Sequence, residues 1–243
     1  TVVEPAVSRN HTETMLAAFG VPVHCAGTSA TVRPVRELEA QEISVPGDIS
    51  SAAYFIAAAL ILPGSEIRLR NVGINRTRTG MLTVCREMGA DIACENVRLR
   101  GEPSADLIVR QAPLHGTEIG GDIIPSLIDE LPVIAVLACF AEGTTTIRDA
   151  AELKVKESNR IRSVVENLSA MGADISETPD GMIIRGGRPL HGAVIESRGD
   201  HRIAMSFAVA ALAGEGETVI HDRDCISISY PGFYEDLQSL LPR

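Results

Sequence analysis

The 243-residue sequence predicts an α/β fold made of repeated supersecondary units. Two interleaved repeats and an aliphatic, Ala-rich composition carry that prediction. The first repeat comprises "TMLAAFGVPVHCAGTSATVRP", "GMLTVCREMGADIACENVRLRG" and "VVENLSAMGADISETPDGMIIRG". Each reads as the end of a helix, a glycine stop and two short strands with the spacing of a hairpin. Gly20, Gly89 and Gly172 stand just past the helix, where a left-handed conformation is needed. The second repeat comprises "GDISSAAYFIAAALILPGSEIRLRNV", "IDELPVIAVLACFAEGTTTIRDAA" and "GDHRIAMSFAVAALAGEGETVIHDRD". Each has a polar start containing Asp, an almost wholly apolar helix, a glycine stop and a β-rich strand. Helices apolar on all sides belong in a core.

The glycines that end the apolar helices are Gly64, Gly143 and either Gly214 or Gly216. They lie roughly 70 to 80 residues apart, a period of large units rather than a solenoid of short ones. One unit is therefore a buried apolar helix, a strand, an amphipathic helix and a hairpin. Ile161, Val164, Val165 and Leu168 recur at helical spacing, so one amphipathic helix is expected from about Ser158 to Met171. Residues 1–43 hold only the tail of an earlier unit, and "EISVPGD" leads into the next. A domain boundary is placed near Ser44, giving 1–43 and 44–243. The alternative is a single α/β domain with coincidental glycine stops. The chain opens at Thr1 in what reads as a strand, "TVVEPAV", which suggests a processed or truncated product.

Composition narrows the function. Hydrophobic residues make up 45% of the chain and aromatics 3%, with no Trp, so the cores are aliphatic. No run of about 18 apolar residues exists to span a membrane, and no signal-peptide pattern is visible. A net charge of −10 argues against sequence-independent nucleic-acid binding, which needs basic stripes, but leaves room for a small anion held by local cations. The five cysteines are odd in number and form no CxxC pair, so they read as buried reduced thiols in a cytoplasmic protein. The six histidines lack metal-ligand spacing, and HExxH, P-loop and GxGxxG patterns are absent.

Candidate chemistry lies at the starts of the apolar helices, "PGDISSA", "LIDELPV" and "GDHRIAM". If the repeats are related by a pseudo-threefold axis, these N-termini converge, and their free N–H groups and dipoles form an anion site. Asp48 and Asp200 read as N-caps. Asp129 is followed at once by Glu130, and one carboxylate suffices as a cap, so general-base work is open to Asp129. His201 and Arg202 open an otherwise apolar helix. A cation there is disfavoured unless an anion neutralises it, either Asp200 or Asp222 or a ligand. Lys156 and Arg160 raise the same question with Glu157 between them. They read either as a solvated, salt-bridged helical face or as an oxyanion clamp with an acid–base residue at its centre. Arg9 precedes a third helix start, where Asn10 and Glu13 fit a capping-box variant. Three such placements in an acidic chain favour an anionic ligand.

The stretches "ELKVKESNRI", "GDHRIAMSF", "DELPVIAVLA" with "AEGTTTIRDAAELK", "VPGDISSAAYF" and "EPAVSRNHTETML" together resemble the C-terminal part of the 3-phosphoshikimate 1-carboxyvinyltransferase family, across essentially the whole chain. The related UDP-N-acetylglucosamine enolpyruvyl transferases lack KES-x-R with DHR-x-AM in this form. The resemblance implies an inside-out α/β barrel of the enolpyruvyl transferase type, with three βαβαββ units per domain and buried parallel helices. Residues 1–43 would then end the N-terminal domain, and 44–243 would form the C-terminal domain. It implies transfer of the enolpyruvyl group of phosphoenolpyruvate to the 5-hydroxyl of shikimate 3-phosphate, with no metal or organic cofactor, and a monomer at full length. By residue, Asp129 matches the proton acceptor near that hydroxyl, and Lys156 with Glu157 the pair acting at the phosphoenolpyruvate methylene. Arg160 and Arg202 match the arginines that clamp phosphoenolpyruvate. Arg9 matches an arginine near the shikimate phosphate in some members, and His201 supports the clamp. Some members carry a Lys just before the motif resembling "SYPGF"; Ile228 stands there, so no third cation is assigned. The family's N-terminal lysine, Gly-rich loop and another arginine have no counterpart here, so the chain alone is expected to be inactive. The alternatives are a UDP-N-acetylglucosamine acceptor or a non-catalytic anion-binding half.

Overall fold

The computed structural model describes residues 1–99 and 101–241; the last two residues of the expected 44–243 segment lie outside that range. The chain begins with β1 (Val2–Val3), α1 (His11–Ala18) and the hairpin β2 (Val23–Ala26) and β3 (Ser29–Val32), in the antiparallel order β1-β3-β2. A long irregular segment leads to α2 (Ile49–Ile61), β4 (Glu66–Gly73), α3 (Gly80–Glu87), β5 (Asp91–Arg98) and β6 (Ser104–Arg110), ordered β4-β6-β5. The next round is β7 (Glu118–Ile119), α4 (Leu131–Phe140), β8 (Thr144–Ile147), α5 (Arg160–Ala170), β9 (Asp174–Thr178) and β10 (Gly181–Arg185), ordered β7-β8-β10-β9. The last is β11 (Val194–Glu196), α6 (His201–Ala213), β12 (Val219–His221) and α7 (Phe233–Ser239).

The repeat is a repeat of pairings as well as of elements. β7 pairs parallel to β8 and β11 parallel to β12, and a parallel bridge from Gly47 to Val72 stands in the same place of the first round. In each case the apolar helix crosses between the two partners. The stretch β1-α1-β2-β3 repeats the last four elements of a full round, β4-α3-β5-β6. After α7 no hairpin follows among the described residues.

The glycine stops behave as the repeat requires. Gly20, Gly89 and Gly172 have φ of 83°, 93° and 89°, one residue past the caps of α1, α3 and α5. Among the alternatives at the third apolar helix, Gly214 is the cap itself with φ −85°, and Gly216, with φ 91°, matches Gly64 and Gly143.

α2, α4 and α6 pack on one another at the centre. Ala53 and Ala57, Ala135 and Ala138, and Ala204 and Ala210 are buried there, and their small side chains let the three helices approach closely. Burying so much backbone is possible because a helix satisfies its own N–H and C=O groups. α5 lies outside with Ile161, Val164 and Leu168 turned inward and Arg162 paired to Glu166 on the solvent side.

Three local expectations are corrected. α5 begins at Arg160, not Ser158, because the Asn159 side chain accepts from the Arg162 N–H and caps it there. Lys156 therefore lies in extended backbone after a 3-10 turn (Ala151–Val155), and does not share a helical face with Arg160. The Asn10–Glu13 capping box does not form; the Asn10 side-chain Oδ1 instead accepts from Asn75 Nδ2. Asp48 does cap α2, accepting from the Ser50 and Ser51 N–H groups. Asp48→Ala is expected to lower stability by about 0.5–2 kcal/mol, read as a drop in melting temperature.

Candidate active site

The N-terminal ends of α2, α4 and α6 meet. Ser50, in the first turn of α2, donates its hydroxyl to Glu130 at the start of α4. Arg202, in the first turn of α6, lies 3.6 Å from Asp129. Free N–H groups and the positive ends of three dipoles thus gather at one face.

Asp129 is the centre of the cluster. Its carboxylate receives Arg9 at 2.8 Å and Arg160 at 3.3 Å, with Arg202 at 3.6 Å and Lys156 Nζ at 3.9 Å. Asp129 is free for this because it does not cap a helix. α4 starts at Leu131 with Glu130 at the cap position and no side-chain cap bond. Burial raises the Asp129 carboxyl, but Arg202, the Arg9 hydrogen bond and Lys156 outweigh it and hold it below the usual carboxylate range.

Asp200 holds the second node. It caps α6 through the Arg202 N–H and accepts Arg160 Nε at 2.9 Å and the Ser158 hydroxyl at 2.9 Å. Arg160 is 1% exposed and Asp200 0%, so this is a fully buried pair. Burial opposes the Asp200 charge, and the Arg160 bonds and the others prevail, keeping it low. Glu157 pairs with Arg160 from the solvent side, and Lys156 with Glu152.

Arg202 does not pair with Asp200 or Asp222, as the sequence allowed. Its carboxylate neighbours are Asp129 and Glu130. His201 is buried beside it, and its Nδ1 has no hydrogen-bond partner among the described residues. Burial and then Arg202 lower the proton affinity of that imidazole. All seven residues singled out from the sequence, Arg9, Asp129, Lys156, Glu157, Arg160, His201 and Arg202, thus lie at this one face.

Sequence reasoning missed three others, Ser50, Glu130 and Arg78. Glu130 was visible as a surplus carboxylate but given no task. It is 2% exposed, and burial raises its carboxyl against the Ser50 bond, Arg78 and Arg202. Arg78 donates to Ser50 and lies 3.7 Å from both Asp48 and Glu130. It sits in "NRTRTG", just before α3, so the argument that picked Arg9 also pointed to it. A cavity of about 420 Å³ opens beside the cluster between α1 and the start of α2, lined by Arg9, Asp48, Asn75 and Arg78 along with Met15 and Val45. Among the described residues no group of three or more His, Cys, Asp or Glu is placed to hold a metal.

Ionised carboxylates ringed by arginines at converging helix N-termini can bind oxyanions and move protons. The architecture that presents them is an enolpyruvyl transferase fold. The chain superposes on the enolpyruvyl transferase NikO of Streptomyces tendae with TM-score 0.71 at 20% identity, over 97% of this chain and 54% of that one. Residues 1–237 match the family model described as EPSP synthase (3-phosphoshikimate 1-carboxyvinyltransferase), and the chain belongs to that family. It is 54% identical to the 3-phosphoshikimate 1-carboxyvinyltransferase of Desulforamulus reducens over 99% of its own length and 56% of the relative's. The enzyme of that name from Synechococcus sp. (strain JA-3-3Ab) is 55% identical, over 99% and 55%. The EPSP synthase of Acinetobacter baumannii superposes with TM-score 0.94 at 42% identity, over 98% of this chain and 56% of that chain. The chain therefore spans little more than half the length of these relatives.

Proposed function

We propose that this chain supplies the C-terminal half of an enzyme that transfers the enolpyruvyl group of phosphoenolpyruvate to the 5-hydroxyl of shikimate 3-phosphate, releasing phosphate. One observation supports it most: Asp129, kept ionised, sits within 4 Å of Arg9, Arg160, Arg202 and Lys156 where three helices begin. Both substrates are multiply anionic, so holding them together requires such a concentration of cations. The family match favours the shikimate acceptor over UDP-N-acetylglucosamine.

In this reading Arg160 and Arg202 hold phosphoenolpyruvate and Arg9 lies toward the shikimate phosphate. Asp129 accepts the 5-hydroxyl proton as the oxygen bonds to C2 of phosphoenolpyruvate. Lys156 and Glu157 deliver a proton to C3 and take one back when the C2–O bond to phosphate breaks and the enol ether forms. The chemistry is proximity, proton transfer and electrostatic stabilisation of developing charge, with no cofactor. The division into 1–43 and 44–243, a cytoplasmic location and a monomer at full length belong to the same proposal. No helix among the described residues is long and apolar enough to cross a membrane.

Isothermal titration with phosphoenolpyruvate and shikimate 3-phosphate tests it, with and without the complementary N-terminal half of a relative. Paired binding and turnover only on reconstitution are expected. Absence of binding by either ligand after reconstitution would mean that the Lys156, Arg160 and Arg202 cluster is structural or serves another anion. Robust turnover by the chain alone would contradict the split site.

A further inference from the structure

The two clamp arginines are held very differently. Arg160 donates Nε to Asp200 at 2.9 Å and pairs with Glu157, so most of its donors are engaged. Arg202 makes only long contacts to carboxylates and carbonyls among the described residues, 3.6 Å to the Asp129 carboxylate, 3.5 Å to the Asp129 carbonyl and 3.9 Å to Glu130, with the Tyr54 hydroxyl facing it from α2. It is suspended between two adjacent carboxylates and tightly bonded to neither. Glu130, by contrast, is anchored. Its carboxylate accepts the Ser50 hydroxyl, and that hydroxyl accepts from Arg78, whose other carboxylate neighbour is Asp48. If the Glu130 charge were absent, Asp129 would be the one carboxylate among the described residues left within 4 Å of Arg202. A tight Arg202–Asp129 pair would engage the guanidinium donors and the carboxylate together.

We propose that Glu130 is a positioning residue: through the Arg78–Ser50–Glu130 relay it holds Arg202 off Asp129, leaving the guanidinium for a bound oxyanion and the carboxylate for a proton. This deepens the reading given above and rests on it for the identity of the oxyanion. The relay joins a loop and a helix of one unit to the helix start of the next, so the repeat itself fixes its geometry. The groups facing Glu130 are Ser50 and Tyr54 from α2, Arg78 from the loop before α3, Arg202 from α6, and Asp129 beside it in the chain. Burial raises the Glu130 carboxyl whereas Asp129 is held low, so on acidification Glu130 loses its charge first. Arg202 then shifts toward Asp129, and anion affinity falls as Glu130 takes up its proton, before Asp129 does.

The test follows the side-chain N–H resonances of the arginines in the ¹⁵N-labelled chain, with Arg202 assigned by Arg202→Lys. Wild type and Glu130→Gln, each reconstituted with the complementary N-terminal half of a relative, are compared over a pH series, first without ligand and then with added phosphoenolpyruvate. In Glu130→Gln the Arg202 resonance is expected to move and to lose its response to pH. Phosphoenolpyruvate binding is expected to weaken about tenfold near neutral pH. The ratio of the two Kd values, in which the ligand's own titration cancels, should approach one as pH falls. An Arg202 resonance with the same position and pH response in both proteins overturns the proposal, as does a Kd ratio that does not change with pH. If the resonance moves as described while phosphoenolpyruvate perturbs neither protein, the positioning stands and the substrate reading fails. Ser50→Ala removes the anchor but leaves the charge, and gives a smaller shift of the same sign; it serves if Glu130→Gln does not fold.

Discussion

Arg160→Ala is expected to lower the unfolding free energy by about 3–5 kcal/mol, the range for removing one partner of a buried ion pair. Asp200 would be left without its guanidinium at a site with no solvent access, while still required to cap α6. Replacing the pair by apolar groups would be milder, because the loss comes from the stranded carboxylate and not from the pair's own net worth. Arg160→Lys should fall between, since an ammonium restores charge but cannot reach Asp200, Asp129 and Glu157 with one planar fork. Urea unfolding over a pH series checks the cause. The folded Asp200 carboxyl lies below its unfolded value of about 3.9. Its contribution is therefore complete above that value and is lost as pH falls through the folded one. The stability difference between wild type and Arg160→Ala should shrink in acid. A difference that stays constant there would assign the loss to packing.

Glu157→Gln and Asp129→Asn should separate catalysis from binding. In the reconstituted enzyme each is expected to lower kcat by about 10²–10⁴, the usual contribution of a positioned acid or base. Their effects on affinity should differ. Glu157 lies on the solvent side of the cluster, so Gln there should leave the Kd for phosphoenolpyruvate within about tenfold. Asp129 acts as an internal anion for four cations, so Asn there frees Arg9, Arg202 and Lys156 and should tighten anion binding while turnover falls. Titration and steady-state rates on the same preparations check both. Unchanged kcat in both variants would remove these carboxylates from the proton transfers, and a non-catalytic anion-binding half would then account better for the cluster.

Much of the fold was legible because its signals are local. An apolar Ala-rich run reads as a buried helix whatever surrounds it, and a glycine after a helix reads as a left-handed stop. Asp48 and Asp200 could be read as caps because a cap bonds N–H groups two or three residues away. Cations before or within the first turn of a helix were conspicuous for the same reason, which is how Arg9, Arg160 and Arg202 came to notice.

Which charge meets which was not legible. Arg9 reaches Asp129 across 120 residues and Arg160 reaches Asp200 across 40. Lys156 and Arg160, neighbours at helical spacing, turned out not to share a helix, because one asparagine cap moved the start. The sequence alone determined the units, their ends and the placement of charge at those ends. The tertiary structure alone decided that Asp129 is the shared partner, and that Ser50 and Arg78 meet Glu130 beside Arg202. Backbone hydrogen bonding and side-chain periodicity act over a few residues, whereas the pairing of buried charges depends on where three separately encoded helix ends meet.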